Sequence, residues 1–202
     1  MKRYLLLLAL FSCLFTSKSH AENETTCCFE KKNRFYLSPY IGLSFDEKIP
    51  NSWKSQNMKP GYCIGSAVGY KFSNLRFEIE ATYQRSAKKC RSYMYTRTSG
   101  FKEIGSFMAN ACYDFNVDFC LKPFLGAGIG YYESRVHTHW HQQYQNFYYG
   151  RIFKDHGLAG QAIVGVKYSL SDELEINIDY RLFKQKEKRV LQRVGLSVTR
   201  YF

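Results

Sequence analysis

The chain has 202 residues, 45% hydrophobic and 17% aromatic, with a formal net charge of +12. That length suits one domain with a core of its own. After the N-terminal segment, no apolar run reaches the roughly 18 residues of a membrane helix. Mean hydropathy is −0.39, so the mature chain is either soluble or a β-barrel, whose spans are individually inconspicuous.

The N-terminus reads as an export signal. Lys2 and Arg3 form a positive start, residues 4–15 an apolar core, and Ser19-His20-Ala21 a small-x-small cleavage site. A lipoprotein signal at Leu10-Phe11-Ser12-Cys13 is the rival, and bulky Phe11 argues against it. Cleavage of residues 1–21 removes Lys2, Arg3 and Lys18 with no acid, taking the net charge from +12 to +9. Residues 22–33 then form a periplasmic tail and 34–202 the folded unit. A basic exported protein meets lipid phosphates, lipopolysaccharide or acidic polysaccharide; export makes nucleic acid an unlikely partner.

Eight stretches alternate with period 2, each with an apolar face and a small or charged face. In 34–45, Phe35, Leu37, Ile41, Leu43 and Phe45 oppose Tyr36, Ser38, Tyr40, Gly42 and Ser44. In 61–72, Tyr62, Ile64, Val68 and Tyr70 oppose Cys63, Gly65, Ala67 and Lys71. In 75–85, Phe77, Ile79 and Tyr83 oppose Arg76, Glu78 and Glu80. Stretch 101–115 sets Phe107, Ala109 and Tyr113 against Asn110, Cys112 and Asp114. Stretch 121–136 holds Gly126, Gly128 and Gly130 on one face and Leu125, Ile129 and Tyr131 on the other. The last three are 156–170, 173–183 and 190–202, with Lys167, Glu175, Asp179, Arg181 and Arg193 on their polar faces.

Most of these run 11 to 16 residues, against about 5–6 in soluble proteins and about 9–11 in a tilted membrane strand. Connections 46–60, 86–100, 137–155 and 184–189 are mostly long and polar, and 73–74, 116–120 and 171–172 are short. This strict alternation fits an outer-membrane barrel with long outer loops and short periplasmic turns. A lipocalin-like barrel would be apolar inside and wet outside. Here Arg76, Glu78, Glu80, Lys122, Lys167, Glu175, Asp179, Arg181 and Arg193 sit in mid-strand opposite a continuous apolar face. That face suits lipid, so the charges point inward and must pair. The fold expected is an all-β, eight-stranded antiparallel up-and-down transmembrane barrel with a salt-bridged plug.

The segments KPFLGAGIGYY, GQAIVGVKYSLSDELEINIDYRLF and the ending VGLSVTRYF resemble the small outer-membrane β-barrel family. That family includes opacity-type surface proteins and the membrane domain of outer-membrane protein A. The resemblance covers nearly the whole mature chain and implies the outer membrane of a Gram-negative bacterium. Terminal Phe202 resembles the signal read by the barrel-assembly machinery.

Four constellations bear on function. Gly126, Gly128 and Gly130 superficially suggest a phosphate loop, but alternation runs unbroken through them and no helix follows. They read instead as wall, leaving room inside for bulky neighbours such as Arg181. His137, His139 and His141 share one parity and are weak metal candidates, with an aromatic-polar loop as the simpler reading. Lys88, Lys89, Arg91 and Arg97, with Lys184, Lys186, Lys188 and Arg189, form basic loop clusters suited to lipopolysaccharide or sulfated host polysaccharide, or else a solvated surface. Six cysteines remain after cleavage: Cys112–Cys120 and Cys63–Cys90 are candidate disulfides, and Cys27 and Cys28 are candidates for links to other chains.

These features favour a structural and surface-binding, adhesin-like role with no cofactor, towards a host polysaccharide or receptor. A narrow solute channel is the first alternative. The second is a lipid A-modifying enzyme drawing on Glu133, Ser134, His137 and His139.

Overall fold

A computed structural model describes residues 33–46, 59–88, 91–93, 96–117, 120–142, 147–186 and 190–202. Residues 91–93, 96–97, 140–142 and 147–149 are placed by their backbone. Among the described residues nine strands follow in chain order: β1 Arg34–Asp46, β2 Gly61–Phe72, β3 Leu75–Ala87, β4 Arg91–Tyr93, β5 Thr96–Asp114, β6 Leu121–Gln142, β7 Phe147–Ser169, β8 Leu174–Gln185 and β9 Val190–Tyr201. Eight of them close an antiparallel barrel: β1 pairs with β9 and β3 pairs directly with β5, while short β4 pairs with the start of β5 beyond the end of β3. The signal segment, Cys27, Cys28, Lys89, Cys90, Lys188 and Arg189 lie outside the described residues.

Alternation sets the two faces. Along β3 the pattern is strictly exposed–buried, with Phe77 and Ile79 outside and Arg76, Glu78 and Glu80 inside. The outer apolar belt includes Phe35, Ile41, Val68, Phe107, Leu125, Ile129 and Ile178, all more than half exposed. Such a surface is stable only against hydrocarbon. The two-residue turn Ser73-Asn74 joins β2 to β3, and Ser73 takes a left-handed φ of 55°. A hairpin turn of this length needs positive φ to match strand twist.

The inward glycines lie where neighbouring strands bring bulky side chains. A Cβ at Gly65 would lie 2.6 Å from the Tyr40 ring, and one at Gly165 would lie 2.6 Å from Phe124. At Gly126, Gly128 and Gly130 the side chains met are Cys112, Asn110 and Met108 of the adjacent β5. These, rather than Arg181, occupy the room the glycines leave.

Three strands are longer than expected. β5 begins at Thr96, β6 runs on to Gln142, and β7 begins at Phe147. Much of the stretch 137–155 is therefore ladder, with β6 paired to β7 up to Gln142 and Phe147. Pairing of β7 to β8 begins only at Ala159 and Gln185. Beyond that point β7 pairs with β6 alone, as a ribbon, while β5 stays paired to β3 up to Phe101 and then to β4.

Candidate functional site

The lumen is built in tiers. At the periplasmic end Arg76 Nε donates to Asp114 Oδ1 at 3.1 Å, and Lys167 pairs with Asp114 and, at 3.7 Å, with Glu175. Tyr201 donates its hydroxyl proton to Glu175 at 2.8 Å. One step up, Glu78 accepts from the Tyr36 hydroxyl at 2.9 Å and from Asn110 at 3.0 Å. Arg181 sits at mid-height, paired with Glu80 and with Asp179 at 2.7 Å. Asn110 also donates to Glu80 at 2.8 Å, and Gln161 donates to Asn110 at 2.6 Å. Arg193 donates to Gln84 at 3.0 Å and lies 4.3 Å over the Phe183 ring. Above this the filling turns apolar: Ile104, Met108, Tyr132, Ala159, Phe183 and Leu191 pack as one cluster.

Eight of the nine lumen charges named from the sequence are buried among these partners. Lys122 differs. It lines the periplasmic mouth, half-buried, with no carboxylate within ion-pair distance among the described residues. Sequence reasoning placed Asp114 and Lys71 on the inward face but left them out of the charge network, and it assigned Lys102 and Asp46 no partner. Lys102 and Asp46 pair at 3.6 Å near the outer end. The parity of Asp114 with Asn110 and Cys112 was the available signal.

Outside, a charged collar crosses β3, β5 and β6 above the apolar belt. Tyr83 donates to Glu103 at 2.7 Å, Arg85 stacks over Phe101 at 4.3 Å, and Phe101 stacks on His137 at 4.3 Å. His137 Nε2 lies 3.6 Å from Glu103. Beside it, Arg151, Ile152, Phe153 and Lys154 of β7 are exposed in succession, so both faces of β7 meet solvent there, while Val136 and Thr138 of the paired β6 stay buried.

The basic residues named from sequence fall in different places. Lys88, Lys184 and Lys186 are at the outer strand ends, and Arg91 and Arg97 are on the backbone of the β4–β5 hairpin. His137 and His139 point outward on β6, and His141 follows on its backbone. Among the described residues no three His, Cys, Asp or Glu side chains converge as a metal site. Ser134 faces inward at 2% exposure whereas Glu133, His137 and His139 face outward. The strand wall therefore separates that hydroxyl from the imidazoles a hydrolase would need beside it.

The disulfide expectation for Cys112 and Cys120 is corrected. Both are free thiols, Cys112 buried and Cys120 exposed. Register puts Cys112 opposite Gly126, six residues along from Cys120, beyond reach of one S–S bond. Cys63 is likewise free and buried, opposite Gly42 and Gln84.

Comparison with known proteins accords with this geometry. The family model for the outer membrane protein beta-barrel domain matches residues 6–202. The chain belongs to the outer-membrane β-barrel family. It is 32% identical over 136 residues to an outer membrane protein of Gluconacetobacter diazotrophicus, covering 62% of this chain and 36% of that one. It is 26% identical over 194 residues to an uncharacterized protein of Brucella abortus, covering 74% of this chain and 67% of that one. Neisserial surface protein A superposes with a TM-score of 0.60 at 18% identity, over 83% of this chain and 97% of that one. Ail, the attachment invasion locus protein of Yersinia pestis, gives 0.50 at 10% identity, over 85% and 99%. This family member thus sits in the outer membrane of a Gram-negative bacterium, among lipid and lipopolysaccharide.

Proposed function

We propose that this barrel is a surface-binding protein whose extracellular sheet engages anionic polysaccharide, either lipopolysaccharide sugars or sulfated host chains. The observation that carries this is the β7 ribbon above Ala159. It presents Arg151 and Lys154 beside exposed Ile152 and Phe153, with Lys184 and Lys186 at the neighbouring strand end. Basic groups attract sulfate and phosphate, and apolar side chains pack on sugar rings or aglycones. Ail offers a parallel, since one of its structures holds the heparin analogue sucrose octasulfate. Phe202 fits the role of assembly signal: it follows β9 directly and is exposed, its N–H donating to the Phe35 carbonyl at 2.9 Å.

Heparin chromatography of the refolded protein tests this. Replacing Arg151, Lys154, Lys184 and Lys186 with Gln is expected to shift elution to clearly lower salt. Unchanged retention of a folded quadruple variant sinks the reading.

The reading includes neither catalysis nor an open pore. Against a channel stands the mid-lumen network of Arg181, Glu80, Asp179, Asn110 and Gln161, which occupies the section a solute would cross. Planar bilayers should stay silent, and steady openings would favour the channel.

A further inference from the structure

The periplasmic mouth carries a charge surplus that the plug does not consume. Among the described residues four cations face inward at that level: Arg76, Lys71, Lys167 and Lys122. Two carboxylates, Asp114 and Glu175, serve the first three, with Lys71 at 4.0 and 3.9 Å from them. Glu78, one step up, is occupied by Tyr36 and Asn110. At the periplasmic lip Arg34 donates to the backbone carbonyl of Asp172 at 3.0 Å, and these two side chains, one cation and one carboxylate, line the same mouth without changing its net charge. Among the described residues Lys122 has no carboxylate partner, and register places it directly opposite Lys167 across the β6–β7 ladder. Like charges at opposed positions repel, so this pair raises the energy of the empty barrel.

Lys71, Lys122 and Lys167 also line a polar cavity of about 60 Å³ at this mouth, together with Asp114, Glu175 and Asn116. A single water needs roughly 10–15 Å³ on this measure, so there is room for a small ion in place of several waters. A spare ammonium, a second one held only by long contacts, and an amide donor around such a space match the needs of an oxyanion.

We propose that the periplasmic mouth binds a small oxyanion, a phosphate or a carboxylate group, through Lys122 and Lys71. The site lies at the opposite end of the barrel from the extracellular sheet and stands independently of what that sheet binds. Its occupant would neutralise the charge that opposes Lys122 to Lys167, so the barrel is more stable with the anion bound.

The test uses the mature chain refolded in dodecyl maltoside, which has no phosphate of its own. Sodium phosphate, sodium acetate and sodium chloride are titrated at matched ionic strength while amide resonances of Lys122, Lys167 and Asn116 are followed. Saturable shifts in phosphate or acetate, absent in chloride, are expected. Phosphate alone identifies a phosphate-type ligand, and acetate alone a carboxylate. Lys122→Gln should weaken binding about tenfold, as loss of one charge-assisted contact does, and Lys122→Arg should keep it. In buffer free of both anions, Lys122→Gln should unfold at a higher urea concentration than the parent, because a repulsion is gone. Equal responses in all three salts, or saturable binding undiminished in Lys122→Gln, overturns the proposal.

Discussion

Ile79 of β3 and Ile152 of β7 are each 55% exposed, yet they belong to different solvents. Ile79 sits in the outer belt between Phe77 and Ala81, with charged Glu78 and Glu80 behind it in the lumen. Ile152 pairs with His137 on a stretch of β7 whose two faces are both exposed. The strands tell the same story: β1, β2, β3, β8 and β9 have 12 or 13 residues, whereas β5, β6 and β7 have 19, 22 and 23. The shorter set matches the bilayer, and the surplus of the longer set stands in water. Exposure alone therefore says nothing about hydration; the chemistry of the flanking residues does.

The comparison can be broken most forcefully from within the barrel. Arg181→Met leaves Glu80 and Asp179 buried without their cation and should cost about 3–5 kcal/mol in urea unfolding from lipid vesicles. Removing Glu80 as well should recover part of that loss in a double-mutant cycle. A cost near zero for the single change would mean that the plug is hydrated and does not depend on pairing. Next in size, Ile79→Lys should cost about 2–4 kcal/mol, as a charge at the bilayer midplane does. Gly128→Leu drives a side chain onto Asn110 and should cost about 1–3 kcal/mol by overpacking, with slower refolding and no nucleotide binding to lose. Smallest of all, Ile152→Lys should stay within about 0.5 kcal/mol, as water-exposed substitutions do. If the two isoleucine variants cost the same, the assignment of β7's upper half to solvent fails.

Much of the barrel wall was legible because period 2 records a difference between two environments. Phe77 and Ile79 against Arg76, Glu78 and Glu80 is such a record. The ribbon was not legible for the same reason. Where both faces meet water, nothing selects apolar residues at alternate positions, so 137–155 looks like loop although the backbone ladder continues through His137, His139 and Gly150. Parity also gives a face without giving a height. Cys112 and Cys120 share a parity, but register separates them along the hairpin and leaves both as thiols. Asp114 and Lys71 were legible as inward residues, but Lys71 meets Asp114 and Glu175, and Asp114 meets Lys167, from strands distant in sequence that closure of the barrel brings together.

The free length of β7 has an electrostatic consequence. Twelve residues, Phe147–Leu158, lie above the last pairing with β8, and at about 3.3 Å per residue they reach some 40 Å along the strand. Ionic screening at physiological salt decays over about 8 Å. A charge near the tip of that ribbon is therefore insulated from the lipid phosphates around the barrel's rim, and it answers to whatever surface approaches from outside.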